Sequence, residues 1–484
     1  MGKEKKLKKN MAFNSINGLL NVIFPLISFP YITRVLYVDS LGAYNYSNSI
    51  INYLVILAGL GIAGYAIRTG SAKRNDEAHL NQFVSEMFSV SMMTSLVSYL
   101  VLFIGLKLLS DALLPYRYLL LIQSVLIVSQ AIGISWIYNI FEDFKYVTLK
   151  NAVVNFVSMI AILFLVKKPE DIYIYAIIYS GSNFISNLIN FIYARKYCKV
   201  RFTFRVNMKQ HIKPIMYFFA TSLSVTIYVN SDVTILGILS GDYYVGLYSV
   251  SAKIYSIIKN ILSAAITVAI PRMSMYYGRH EFEKMNSTAS EVYGVIITSV
   301  FPVMTGIFIF SKEIILLVAG DEYVPASNSL VLLGICIICY MFSYFYGQCI
   351  LVPLGKESIV FWSTLLSAII NIILNFLLIP LFKQDAAAFT SILGEGLAMV
   401  VAMWYSSKQI LISGKKSVIV KTSIGCLGIM IISFIIKKII NDAVWALLVS
   451  VILSAMVYVG IEIIVKNEAI YSIYSSVIKK DKEC

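Results

Sequence analysis

The chain has 484 residues, 58% hydrophobic and only 14% charged, with a mean hydropathy of +0.78. That balance belongs to polytopic membrane proteins and excludes a soluble enzyme. The formal charge of +14 would suit nucleic acid as a partner, yet with the amino terminus in the cytoplasm about 29 Lys and Arg fall on the inner side and about 9 on the outer, so the excess is read as setting topology.

From about Met11 to Val465, apolar segments of about 20 residues follow one another, each sized for a hydrocarbon core of roughly 30 Å. They predict an all-α integral membrane fold of about fourteen spans, at 11–33, 44–66, 83–106, 116–141, 147–166, 172–194, 214–239, 243–270, 290–311, 327–353, 359–381, 386–406, 417–440 and 443–466. Residues 1–10 form a basic cytoplasmic terminus carrying Lys3, Lys5, Lys6, Lys8 and Lys9. Lysines before an apolar run resemble a secretory signal, but no small-residue cleavage site follows, so the first helix is read as uncleaved. Spans one to six occupy 11–194, and a basic cytoplasmic loop at 195–213 carries Arg195, Lys196, Lys199, Arg201, Arg205, Lys209 and Lys213. Such clusters favour anionic inner-leaflet lipid. Spans seven to twelve occupy 214–406, the last two spans 407–466, and a cytoplasmic tail 467–484. No loop approaches the size of a folded catalytic domain, which counts against a membrane glycosyltransferase or polymerase.

The halves carry a trace of one another. Leu41 to Ile50 reads LGAYNYSNSI and Val245 to Ile254 reads VGLYSVSAKI, with Gly, Tyr, Ser and Ile in register. A parallel repeat of two six-helix lobes, with two helices added at the end, is the expected architecture, and its substrate site is expected between the repeats.

Polar residues recur at helical spacing inside the spans. Asn10, Asn14, Asn17 and Asn21 share one face of the first helix. Ser249, Lys253, Ser256, Asn260, Ser263 and Thr267 trace a line through the eighth, over about 27 Å at 1.5 Å per residue. Asn45, Asn48 and Asn52 continue the pattern in the second span, Thr221, Ser224, Tyr228 and Asp232 in the seventh, and Thr364, Ser367, Asn371 and Asn375 in the eleventh. Taken singly, such residues glue membrane helices together; taken as a set, they outline a water-filled cavity. A Lys at the bilayer centre costs roughly 3 kcal/mol, so Lys253, on the stripe, is the preferred functional cation. Lys259 lies one position off the stripe and is read as snorkelling. Arg34 is either a cavity cation or an interfacial anchor. Asp232 and Glu395 are intramembrane acids with two readings, ion coupling or structural partnership with Lys253 or Arg34. Pro25, Pro30, Pro271, Pro302, Pro353 and Pro380 lie where they can kink helices. The cysteines are scattered, and His79, His211 and His280 fall in three cytoplasmic loops without a second ligand at metal spacing. Neither a metal nor a cofactor is implied.

With PYITRVL at Pro30 to Leu36, LGIAGYAIR at Leu60 to Arg68, WIYNIFEDFK around Trp136 and Glu142, SDVTILG at Ser231 to Gly237, and Asn371 and Asn375 in NIILN, the chain resembles the Wzx-type polysaccharide flippases of the multidrug, oligosaccharidyl-lipid and polysaccharide exporter superfamily. One departure is Tyr37, where that family usually has Gly. The resemblance implies a multi-pass cell-membrane transporter with alternating access. Its cargo would be a polyprenyl-pyrophosphate-linked oligosaccharide, its surroundings membrane lipid, and its partners a polymerase and glycan-assembly proteins. Lys253 and Arg34 would then meet the pyrophosphate, and Asn17, Asn21, Asn52, Ser256, Asn260, Asn371 and Asn375 the sugars. The rival readings are a cation-coupled multidrug extruder, which wants carboxylates where the first helix has amides, and a lipid II flippase.

Overall fold

A computed structural model describes residues 2–469; side chains are described for residues 13, 16–18 and 20 and from 23 onward, Ala265 excepted. The tail beyond 469 and the side chains of Asn10, Asn14 and Asn21 lie outside the described residues. The described fold is all helix. In hydrocarbon the backbone must satisfy its own polar groups, and a helix does so within one segment.

The main elements are α1 (Gly2–Gly59), α2 (Ile62–Ala72), α3 (Glu77–Leu108), α4 (Val125–Ile132, one of several short helices in the fourth crossing), α5 (Phe144–Leu165), α6 (Ile172–Tyr193), α7 (Met208–Ser240), α8 (Asp242–Gly278), α9 (Phe282–Ala319), α10 (Ser327–Tyr344), α11 (Glu357–Ser407), α12 (Lys415–Ile439) and α13 (Ala443–Ile464). Among the described residues twelve helical runs are long and apolar enough to cross a membrane. Two of them, Ile16–Ala72 and Glu357–Ser407, are 57 and 51 residues long, more than twice what one crossing needs. The first leaves the helical region at Tyr37 (φ 57, ψ 177) and again at Leu60–Gly61, between α1 and α2, and the second at Lys383 (φ 53, ψ −131); the breaks at Tyr37 and Lys383 are consistent with fourteen crossings. The helical backbone continues through Pro25, Pro30, Pro271, Pro302 and Pro380; a further break falls at Phe310. A π-helical stretch, Phe345–Leu351, follows α10 and ends just before Pro353.

By internal contacts the chain divides into two compact units, Met1–Gly246 and Leu247–Cys484. In the first, α1 packs against α3, α5 and α7. The start of the second crossing meets the start of α8 there through two glycines: a Cβ on Gly42 would stand 1.9 Å from the Asp242 carbonyl oxygen, and one on Gly246 2.2 Å from that of Val38. These are the glycines that match between the two repeated segments. In the second unit, α9 packs on α10 and α12, and α12 on α13.

The basic segment before α7 is strapped onto α3. The N–H groups of Lys199, Arg201 and Thr203 donate to Asn81 Oδ1 (2.7 Å), Ser85 Oγ (3.1 Å) and Ser89 Oγ (2.8 Å). The fit is one of spacing: four helical residues rise about 6.0 Å and two extended residues about 6.6 Å, so each helical turn meets every second residue of the strap. The second unit repeats the device, with Leu411 and Ser413 N–H donating to Asn286 Oδ1 (3.2 Å) and Ser290 Oγ (3.0 Å) on α9. Both helices open on an acid paired with a base three residues on, Asp76 with His79 (2.6 Å) and Glu281 with Lys284 (3.0 Å). Hydrogen bonds from the His79 backbone and ring hold the Asp76 carboxyl below its usual range.

Candidate functional site

In the first unit the polar face of the second crossing meets α7. Asn52 Nδ2 donates to Asn230 Oδ1 at 3.2 Å, Thr234 donates to Ser49 Oγ at 3.0 Å, and the Tyr53 hydroxyl lies 3.1 Å from Thr234 Oγ1. Asp232 is buried on the same helix, close enough for its charge to act on Tyr53. Asn17 accepts from Asn151 Nδ2 on α5 at 2.9 Å, a packing bond between helices. Arg34 is exposed near the end of the first crossing. Asn21 is outside the residues whose side chains are described.

In the second unit Lys253 and Ser256 are half-buried on α8 and Asn260 is exposed. Among the described residues Lys253 has neither an ion-pair nor a hydrogen-bond partner. Lys259 packs on aromatic faces: its Nζ stands 4.7 Å from the Tyr340 ring centroid and 5.2 Å from that of Tyr255, and it feels the charge of Glu395. Lys259 is thus a second intramembrane cation beside aromatic rings and within the field of Glu395.

Asn371 and Asn375 also depart from the expectation that they meet a cavity. They are 1% and 0% exposed, with Asn375 Nδ2 donating to Asn371 Oδ1 (3.2 Å), Asn371 Nδ2 to Thr390 Oγ1 (3.3 Å), and the Thr390 hydroxyl to Asn375 Oδ1 (2.5 Å). Such a buried amide network ties the two arms of α11 together. Thr390 was invisible in the sequence because it sits in a run of small residues.

A second cluster was also missed. His211, expected in a loop, lies in the first turn of α7 and is 2% exposed. Its Nε2 is 2.8 Å from Glu86 Oε2 and its Nδ1 2.7 Å from the Tyr65 hydroxyl, while Gln82 donates to Glu86 Oε1 at 2.9 Å. The network ties α2, α3 and α7 together. Glu86, an acid inside the expected third span, was the available signal. Among the described residues no three His, Cys, Asp or Glu side chains converge in a way that would hold a metal.

The family model described as "Polysaccharide biosynthesis protein" matches residues 7–277, and the MatE model matches 218–377. A Shigella dysenteriae protein provisionally named an O-antigen transporter is 23% identical over 77% of this chain and 93% of its own length. The Staphylococcus aureus capsular polysaccharide biosynthesis protein CapF is 22% identical over 83% of this chain and 99% of its own. Among solved structures, the lipid II flippase MurJ in an inward closed conformation superposes with a TM-score of 0.76 at 15% identity, covering 98% of this chain and 100% of that one. An inward-facing multidrug resistance MATE transporter gives 0.58 at 14% identity, over 84% and 99%. These similarities show the fold.

Proposed function

Since the chain belongs to the polysaccharide biosynthesis protein family, we propose that this membrane transporter is a flippase that moves a polyprenyl-pyrophosphate-linked oligosaccharide from the cytoplasmic to the outer leaflet of the cell membrane. The names of its relatives support the cargo class. Two six-helix lobes rocking about a cavity supply alternating access, with residues 407–466 added outside them. The observation that carries the reading is Lys253, a half-buried cation within the apolar helix α8, with no protein partner among the described residues. A charge so placed is costly unless something anionic comes to meet it, and a pyrophosphate is met well by a cation away from bulk water.

In this scheme Ser256 and Asn260, on the same helix as Lys253, contact sugars, Asn52 does so in the first unit, Arg34 attracts the phosphates where it is exposed, and the polyprenyl tail stays in lipid. Asn371 and Asn375 act through packing. Asp232 and Glu395 are the proposed coupling acids; transport that survives collapse of the proton and sodium gradients removes that role. A multidrug extruder shares the fold, but no polar contact described above favours an organic cation over a phosphorylated lipid.

Deleting the gene in its host should cause lipid-linked oligosaccharide to accumulate in the inner leaflet and the surface glycan to disappear. Wild-type protein should restore export and Lys253→Ala should not, although it inserts in the membrane normally. Intact glycan with new sensitivity to cationic drugs would replace the flippase reading with the extruder.

A further inference from the structure

Within the first unit a cavity of about 180 Å³ opens between the second crossing, the end of α4 and the middle of α6. Its wall carries five amides, Asn48, Asn52, Gln130, Asn183 and Asn187, and the ring of Tyr179. Only Val55 and Leu126 are apolar, and no lining residue is charged. All three walls are membrane helices, where a polar pocket of this kind is out of place unless something polar fills it.

The amides are not all consumed by packing. Asn187 is fixed to the end of α4, its Nδ2 donating to the Ser129 carbonyl (3.1 Å) and Oγ (2.9 Å), and Asn52 is fixed to Asn230. Asn183 gives one donor to the Tyr179 carbonyl at 2.9 Å and keeps its oxygen. Asn48 Oδ1 is buried without any hydrogen-bond partner. Fixed amides therefore frame the pocket, while the free amide groups of Asn48 and Asn183 come from different helices.

We propose that this amide-lined pocket is a binding site for one neutral sugar ring, a subsite for the glycan that rests on the flippase reading. The chemistry of the wall selects the class. A phosphate wants Arg or Lys, and a hard cation wants carboxylates; neither is present. Amides that both donate and accept match hydroxyl groups, which do the same, and an aromatic face completes the usual sugar contact. The volume corresponds to about six waters at ~30 Å³ each, room for a single ring and not for a chain. The pocket would thus read one residue of the repeat unit while Lys253 attends to the phosphates.

The test is saturation-transfer NMR on the full-length protein in nanodiscs, with N-acetylglucosamine, galactose and mannose as neutral probes and inorganic pyrophosphate as the anionic one. At least one neutral sugar should receive saturation from the wild type. Its affinity should fall about tenfold in Asn48→Leu and in Asn183→Leu, while Lys253→Ala loses pyrophosphate and keeps the sugar. The two pocket variants sit on different helices, and each is taken forward only with a wild-type elution profile and melting temperature. No transfer from folded wild-type protein to any of the three sugars means that the pocket holds only water, and the proposal falls. Undiminished transfer in both variants places the sugar elsewhere and also overturns it. Sugar binding in a protein whose deletion leaves surface glycan intact removes the flippase and keeps the pocket. Lost glycan without sugar binding does the reverse.

Discussion

Tyr37 occupies backbone that tolerates glycine and almost nothing else. A non-glycine residue near φ 57, ψ 177 is strained by of order 1–3 kcal/mol, and the side chain, 47% exposed, recovers little by packing. Gly241, in register with Tyr37 in the repeated segment, adopts the same turn at φ 88, ψ 177 without that strain. Tyr37→Gly is therefore expected to stabilise the protein by about 1 kcal/mol, part of the relief being lost to the greater freedom of glycine in the unfolded chain. Thermal unfolding in nanodiscs checks this, and a lower melting temperature contradicts it. The departure was visible in the sequence as a Tyr where related chains usually have Gly; its energetic meaning needed the backbone angles.

At the scale of the element, the straps show how a polar loop is held on a membrane helix. Asn81, Ser85 and Ser89 form one stripe, and the strap presents an N–H to each of them. Each bond contributes about 1 kcal/mol. Ser85→Ala with Ser89→Ala should release residues 199–203 without unfolding α3, so that trypsin cuts after Lys199 and Arg201 several-fold faster; an unchanged cleavage rate would mean that the strap is held by other contacts. The second unit carries the same device, and its sequence explains why: NQFVSE at Asn81 to Glu86 and NSTASE at Asn286 to Glu291 share Asn, Ser and Glu in register. This is a second trace of the internal repeat, more telling than the first because both copies of each Asn and Ser perform the same bond.

For the whole molecule, fourteen crossings together with the distribution of Lys and Arg predict that both ends of the chain lie on the inner side of the membrane. Reporter fusions at residue 1 and after residue 469 should both read as cytoplasmic. A terminus that reads as external would remove one of the fourteen crossings, with the break at Tyr37 or Lys383 the first to be re-examined. The distribution of charge also separates two kinds of intramembrane lysine. Lys259 lies among Tyr255, Tyr340 and Glu395, an internal cation whose field is already answered. Lys253, one stripe over on the same helix, has no such partner among the described residues, and the proposed function gives its field to the phosphates.

The sequence by itself determined the membrane class, the helical fold, the approximate spans and the family. These follow from hydrophobic length and local motifs, which any segment carries with it. It also picked out Asn17, Asn52, Asn371 and Asn375 as polar residues too regular for lipid. It did not say what each would touch. Amides attractive to a sugar are equally attractive to one another, and only the packing of α5 on α1, or of one arm of α11 on the other, decided that Asn17 and the Asn371–Asn375–Thr390 set are spent inside the protein. His211 read as a loop residue because charge surrounds it in the chain, yet the fold brings Glu86 and Tyr65 to both sides of its ring. The pocket between α4, α6 and the second crossing is likewise a tertiary fact, since its five amides come from three segments between Asn48 and Asn187 and share no local signal. Local patterns can specify an element; which polar groups remain available depends on who their neighbours are.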